Sequence, residues 1–392
     1  MDGRRLRWYL AGLAVAVLAG QAVVLALWPD AHLLMIDLQV YAAGGEHVLR
    51  GAPLYDGGVL LDLPFVYPPF AAVLFAPLSL LPLGLLKVLW TAAGIGLLGF
   101  VVHRCGRAAG LPLGIAGAAL LTVVATGLDP VRTTLYLGQI NLVLLALVVG
   151  DMLGRPDSRW RGVGVGLAAA VKLTPLLFVV YLLVTGRRRA AATAVGVFVA
   201  AGVLGFLLAP ADSVDYWLHG TFAAADRISD VAGLSNHSLT GLLARLGLPA
   251  LWLPSAVVLG AATIVLAVRA HRAGQEVLAL TLCGLASAAL APFAWSHHWV
   301  WVVPLMVLLV ARAAAGARPA VVLLGGLLVV TLAVVTRLPG PGVGPIPSTG
   351  LISLQPDVYL LLYAGALAAA AWSRKRVMWD MSCTSAARAP RW

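Results

Sequence analysis

The chain has 392 residues, of which 61% are hydrophobic and 11% are Asp, Glu, Lys or Arg, against about 25% charged residues in soluble domains. This composition excludes a soluble globular enzyme, a disordered chain and a disulfide scaffold, and leaves a polytopic helical membrane protein. The net charge of +11 does not indicate nucleic acid, because the basic residues fall in short clusters between apolar stretches. Arg4, Arg5 and Arg7, Arg104 and Arg107, Arg155 to Arg161, Arg187 to Arg189, Arg269 and Arg272, Arg312 and Arg318, and Arg374 to Arg376 are such clusters. They mark cytoplasmic loops under the positive-inside rule. Cys105, Cys283 and Cys383 share no motif spacing, so neither a disulfide framework nor a metal site is expected.

In chain order, residues 7–28 read as a retained first span, because a cleaved signal has a shorter apolar core. Residues 29–66 then lie outside. The stretch 68–103, broken by Pro77 and Pro82, is one crossing plus a short, partly inserted segment. Residues 111–127 exit and 137–153 return, with the loop Asp129–Asn141 outside. Residues 162–185 are apolar but flanked by arginines on both sides, so they cross an even number of times. Lys172, Thr174 and Pro175 sit at the midpoint, which predicts two half-length helices meeting at a break. Such a break is tolerated only where it is buried in protein or lines a wet cavity. Residues 190–209 exit to an outer loop at 210–247. Spans at 250–270, 276–293, 299–315, 318–336 and 356–373 follow. The fold class is therefore an all-α polytopic membrane protein with about 10–12 transmembrane helices, some short or broken. Residues 1–373 form one unit, and 374–392 a basic cytoplasmic tail without assigned structure.

This topology gathers polar groups on the outer face. Asp37 stands at the start of a segment whose positions 37, 40, 41, 48 and 49 give an interfacial helix with one half-apolar face. Its carboxylate suits a general base, and the plainer alternative is a helix N-cap. Tyr41 and Glu46 share that segment, and His237 lies in the second outer loop; these three are acceptor-side candidates. His297 and His298 are flanked by Trp295, Trp299 and Trp301, an arrangement for a sugar and its phosphate or, more plainly, an aromatic interface belt. Lys172 is a charge at membrane depth, costing roughly 2.5–3.5 kcal/mol on insertion scales, so a role against phosphate is the default, with snorkelling as the alternative. Arg132, Gln139, Asn141 and Tyr67 complete the candidate donor-side set. The outer loops lack clustered carboxylates, so no metal is inferred, and no cofactor.

Five motifs in order carry a resemblance. They are Asp37 with Tyr41, Leu63-Pro-Phe-Val-Tyr-Pro-Pro69, Leu137-Gly-Gln-Ile-Asn141, Val171-Lys-Leu-Thr-Pro175 and Trp295-Ser-His-His-Trp-Val-Trp301. Over most of residues 30–310 the series resembles the actinobacterial polyprenyl-phosphate-mannose-dependent α-(1→2)-mannosyltransferases of glycosyltransferase family 87. The resemblance implies a GT-C fold with an active site on the external face. It also implies a polyprenyl-phosphate-linked sugar donor, a glycolipid or lipoglycan acceptor, and Asp37 as catalytic base. A second acid that related sequences carry two positions on is Gln39 here. The family also includes an arabinofuranosyltransferase, so the alternatives are an arabinosyl donor, a lipid or sugar transporter, and a non-catalytic membrane subunit.

Overall fold

The computed structural model describes residues 3–27, 34–224, 227, 229–333 and 357–372. The segment between the expected spans 318–336 and 356–373 and the tail 374–392 lie outside them. Among the described residues the chain is helical, with one isolated bridge between Leu60 and Leu63. In chain order the helices are α1 (Gly3–Leu27), α2 (Ile36–Arg50), α3 (Pro69–Phe75), α4 (Leu83–Ala108), α5 (Gly114–Thr126) and α6 (Asp129–Leu137). Then come α7 (Asn141–Met152), α8 (Val163–Val171), α9 (Leu176–Val184), α10 (Arg188–Leu208), α11 (Pro210–Trp217) and α12 (Leu239–Arg245). The last are α13 (Trp252–Arg272), α14 (Glu276–Ala289), α15 (Val302–Ala314), α16 (Arg318–Ala333) and α17 (Val358–Trp372).

Among the described residues five helices are long and apolar enough to cross a membrane, and α5 with α6 form a further pair bent by 78°. Shorter apolar helices, α7, α14, α16 and α17 among them, fill the space between. The outer helices expose aliphatic faces, such as Val195, Val199 and Val203 on α10 and Val257, Val258 and Val265 on α13. In a chain of this composition those faces meet lipid. By contrast α14 is buried from Val277 to Ala289 and α15 from Val302 to Arg312. These two form the centre of the bundle, and the 3₁₀ turn Ser296–Trp299 between them carries the two histidines.

Two features differ from the expectations of the sequence. The presumed loop Asp129–Asn141 contains α6, whose Asp129 and Pro130 suit a first helical turn and whose Val131 and Thr134 are buried. Its polar residues conceal it from a hydropathy reading. The segment after Asp37 is a helix, but its buried face is Leu38, Val40, Tyr41, Gly44 and Gly45, while Leu49 is 57% exposed. Its buried side packs onto α3 and the following 3₁₀ turn, which leaves position 49 on the open side of the helix.

The stretch 162–187 folds as a hairpin of half-helices. α8 and α9 are nine residues each, parted at Lys172, which is extended (φ −151°, ψ 128°). Arg161 before α8 and Gly186 and Arg187 after α9 line one common cavity, so both outer ends return to the same side. Asp151 caps the start of α8, accepting from the amides of Gly162 (2.8 Å) and Val165 (3.0 Å). On α8, a Cβ at Gly166 would stand 2.5 Å from the Ala194 carbonyl oxygen of α10. Backbone cannot yield there as a flexible side chain would, so close helix approach requires glycine. Gly166→Val is therefore expected to destabilise the protein by about 1–3 kcal/mol. Gly196→Ala on α10, with open space around it, is expected to be neutral. Thermal unfolding of the two variants in detergent checks the contrast.

Candidate active site

The site begins in the first turn of α2. The N-cap is Met35 (φ 47°), so Asp37 lies inside the helix and is not its cap. Its Oδ2 instead accepts a hydrogen bond from Gln139 Nε2 at 2.7 Å. Gln139 follows Gly138, which ends α6 in the left-handed region (φ 72°). A Cβ on Gly138 would meet the Leu38 Cβ at 2.6 Å, so glycine both turns the chain and lets it lie against α2. The Gln139 Oε1 in turn accepts from the hydroxyls of Tyr41 (2.7 Å) and Tyr67 (3.1 Å), which stand 2.9 Å apart. Tyr67 is fixed by its own turn, where Tyr55 Oη donates to its carbonyl at 2.6 Å. The amide of Gln139 is thereby oriented: both tyrosines point at its oxygen, and its nitrogen faces the carboxylate. Among the described residues no donor reaches Asp37 Oδ1.

A second group adjoins the first. Lys172 Nζ contacts His298 Nε2 at 2.6 Å and Asn141 Oδ1 at 3.3 Å, and lies 5.5 Å from the Tyr67 ring centroid. With the ammonium donating, His298 carries its proton on Nδ1. Asn141 Nδ2 donates to the His297 carbonyl at 3.1 Å, and Thr134 Oγ1 approaches the same oxygen at 3.4 Å. The His297 ring is buried, stacks on Trp295 (5.6 Å, 23°) and stands perpendicular to His298, and neither of its nitrogens has a hydrogen-bond partner among the described residues. A cavity of about 20 Å³ beside Lys172, Thr174 and Ser287 holds about one water. Lys172 forms no ion pair among the described residues.

Burial raises the Asp37 pKa above the ordinary value of 3.8, and the Gln139 hydrogen bond and the charge of Lys172 pull it back. A base acts deprotonated, so the acid limb of its pH profile follows this pKa. Removing the Gln139 donor takes away a force that lowers the pKa. Gln139→Leu is therefore expected to move the acid limb of kcat/KM to higher pH, read from a pH series with matched protein levels.

The structure brings Asp37, Tyr41, Tyr67, Gln139, Asn141, Lys172, Trp295, His297 and His298 into one region. Three candidates, Arg132, Trp299 and Glu46, make their contacts elsewhere, and a fourth, His237, stands at the margin of the region. Arg132 pairs with Asp129 at 2.9 Å and lines an apolar groove of about 790 Å³ between α1, α4 and α6, which also touches Met35. Trp299 is fully buried and stacks on Tyr359 (5.3 Å, 20°), whose hydroxyl donates to Asp129 at 2.6 Å. His237 meets the edge of the same Tyr359 ring, its backbone amide donates to the Ala294 carbonyl at 2.7 Å, and its ring lies within electrostatic reach of His297 and His298. Glu46 pairs with Arg50 at 2.6 Å on the surface. Gln39 donates to the Leu34 carbonyl at 2.6 Å and adds nothing to the Asp37 carboxylate. Thr134 and Tyr55 were not foreseen; an isolated hydroxyl carries no spacing signal. Among the described residues no three His, Cys, Asp or Glu side chains group as metal ligands.

The family model of glycosyltransferase family 87 matches residues 65–292. A Mycobacterium tuberculosis protein named polyprenol-phosphate-mannose-dependent alpha-(1-2)-phosphatidylinositol mannoside mannosyltransferase is 38% identical over 328 residues, 77% of this chain and 76% of its own. Its Mycolicibacterium smegmatis namesake is 37% identical over 323 residues, 72% of each chain. A further Mycobacterium tuberculosis relative, named a phosphatidylinositol pentamannoside mannosyltransferase of the same dependence and linkage, is 38% identical over 304 residues, covering 72% and 68%. No solved structure matches. Similarity of this extent, across the segments that carry Tyr67, Gln139, Lys172 and their surroundings, makes the chain a member of glycosyltransferase family 87.

Proposed function

We propose that this protein transfers mannose from a polyprenol-phosphate-mannose donor to a hydroxyl of a mannosylated phosphatidylinositol, forming an α-(1→2) linkage. The relatives' names supply the donor and acceptor classes. The observation that carries the chemistry is the Asp37 carboxylate, held through one oxygen by Gln139 beside the unpaired charge of Lys172. In this reading Asp37 takes the proton from the acceptor hydroxyl as that oxygen bonds to the anomeric carbon. The bond from that carbon to the donor phosphate breaks, and the lipid phosphate departs with the electron pair. One displacement inverts the anomeric centre, so a β-linked donor gives an α-linked product. Lys172, with His298 and Asn141, receives the charge developing on the phosphate. Trp295, backed by the stacked His297 ring, offers its face to the sugar. The apolar groove beside Met35 suits the lipid chain of a substrate arriving from the bilayer.

The same reading puts this site on the external face, since the arginine-rich loops gather at the opposite end of the α8–α9 hairpin. The test supplies radiolabelled mannosyl phosphopolyprenol and purified mannosylated phosphatidylinositols to membranes containing the protein, followed by digestion with a linkage-specific mannosidase. Label entering glycolipid and released as an α-(1→2) residue is the expected result. No transfer with a verified donor and acceptor overturns the assignment of the sugar.

A further inference from the structure

At the far end of the hairpin from Lys172 lies a cavity of about 570 Å³. Each half-helix is nine residues, so about 13 Å of helix separates it from the break. Its lining includes Arg161, Arg187, Arg188 and Arg189. The carboxylates nearby are already engaged. Glu276 accepts from Tyr181 Oη at 2.9 Å and from Arg187 Nη1 at 3.5 Å, and also contacts His271 Nδ1. Asp151 is committed to the amides of Gly162 and Val165, and Asp157 faces Arg155 at 3.8 Å in an exposed position. Donors are left over. Arg187 Nη2 and Arg161 Nε are buried and have no acceptor among the described residues. Burial first, and then the neighbouring Arg187 charge, press the Arg161 pKa downward against the opposing pull of Glu276 and Asp151. Arg188 and Arg189 are exposed at the mouth, with no side-chain hydrogen bond or ion pair among the described residues.

The surroundings show what kind of anion reaches this place. The last turn of α9 exposes Leu183 (51%) and Val184 (49%), and α10 continues the apolar face with Val195 and Val199. Trp160 is 64% exposed with the Arg159 guanidinium 5.1 Å from its ring centroid, the arrangement of a side chain at a membrane–water boundary. The cavity thus opens where lipid-facing helix surface gives way to arginine. We propose that it seats the phosphate of an anionic phospholipid from the leaflet opposite Asp37, with Arg161 and Arg187 as the buried donors and Arg188 and Arg189 as the outer clamp. Such a lipid joins the two ends of the hairpin that presents Lys172, and it is separate from the substrates of the transfer reaction.

The test uses the full chain in neutral detergent, with lipid binding read by native mass spectrometry and thermal unfolding. Phosphatidylglycerol is expected to bind and raise the midpoint, and phosphatidylcholine to do neither. Each arginine near a membrane surface contributes enough to change affinity about fivefold, so Arg188→Gln with Arg189→Gln is expected to weaken phosphatidylglycerol binding about 25-fold. Should the double variant unfold, Arg188→Gln alone is read against the fivefold expectation. Two results overturn the proposal: undiminished binding in the variants, or inorganic phosphate at millimolar concentration reproducing the stabilisation and displacing the lipid. Neither outcome bears on mannosyl transfer, which is measured separately.

Discussion

Asp37→Asn is expected to lower the rate of mannosyl transfer by about 10²–10⁴-fold, the range that general base catalysis contributes. The substitution isolates the proton-accepting role. An asparagine carbonyl oxygen can still accept from Gln139 Nε2, now at 2.7 Å from the carboxylate, so the hydrogen-bonded chain to Tyr41 and Tyr67 persists. What disappears is the second, undonated oxygen as a proton acceptor. Single-turnover transfer of labelled mannose reads the chemical step, and thermal unfolding in detergent checks that the variant is folded. Unchanged unfolding with lost transfer supports the base. Transfer above half the original rate in a folded variant removes Asp37 from that role.

Much of this site is legible in sequence because its residues violate the local solvent. Lys172 at membrane depth and the Lys172–Pro175 break are costly unless buried or useful, and the structure shows the break, with Lys172 half-buried beside a small cavity. The arginine clusters predict the return of residues 162–185 by parity alone. Other parts lie beyond such signals. Gln139 reads as a sugar ligand, yet its side-chain hydrogen bonds join Asp37 to two tyrosines, a relation across residues 37, 41, 67 and 139 that no spacing encodes. Trp299 and Arg132 carry the same local signals as Trp295 and Lys172. Only packing separates them: Trp299 stacks on Tyr359 from α17, and Asp129 neutralises Arg132. The short helix α6 escapes because nine residues with alternating polar character resemble a wet loop until the histidine turn is seen to cover them.

Lys172→Gln is expected to reduce kcat by about 10²–10³-fold, the usual effect of deleting one donor aimed at developing negative charge. Glutamine keeps a polar group beside His298 and Asn141, so the hairpin retains hydrogen bonding at its break while losing the charge. If the ammonium meets the departing phosphate, polyprenyl phosphate as a product inhibitor loses the same contact. A hydrogen bond to a charged group is worth about 1.5–3 kcal/mol, so its inhibition constant is expected to rise roughly 10- to 100-fold. A residue that merely props the α8–α9 hairpin predicts the reverse pattern: a lowered unfolding temperature with inhibition unaltered. The acid limb of the pH profile adds an independent check. Lys172 pulls the Asp37 pKa down, as does Gln139, so losing the ammonium moves that limb to higher pH, in the same direction as Gln139→Leu. Arginine is a poor rescue here, because its planar fork does not fit the space of a compact ammonium wedged between His298 and the Tyr67 ring. Lost turnover, weakened product inhibition and an upward-shifted acid limb, together in one folded variant, place the cation at the phosphate and within electrostatic reach of the base.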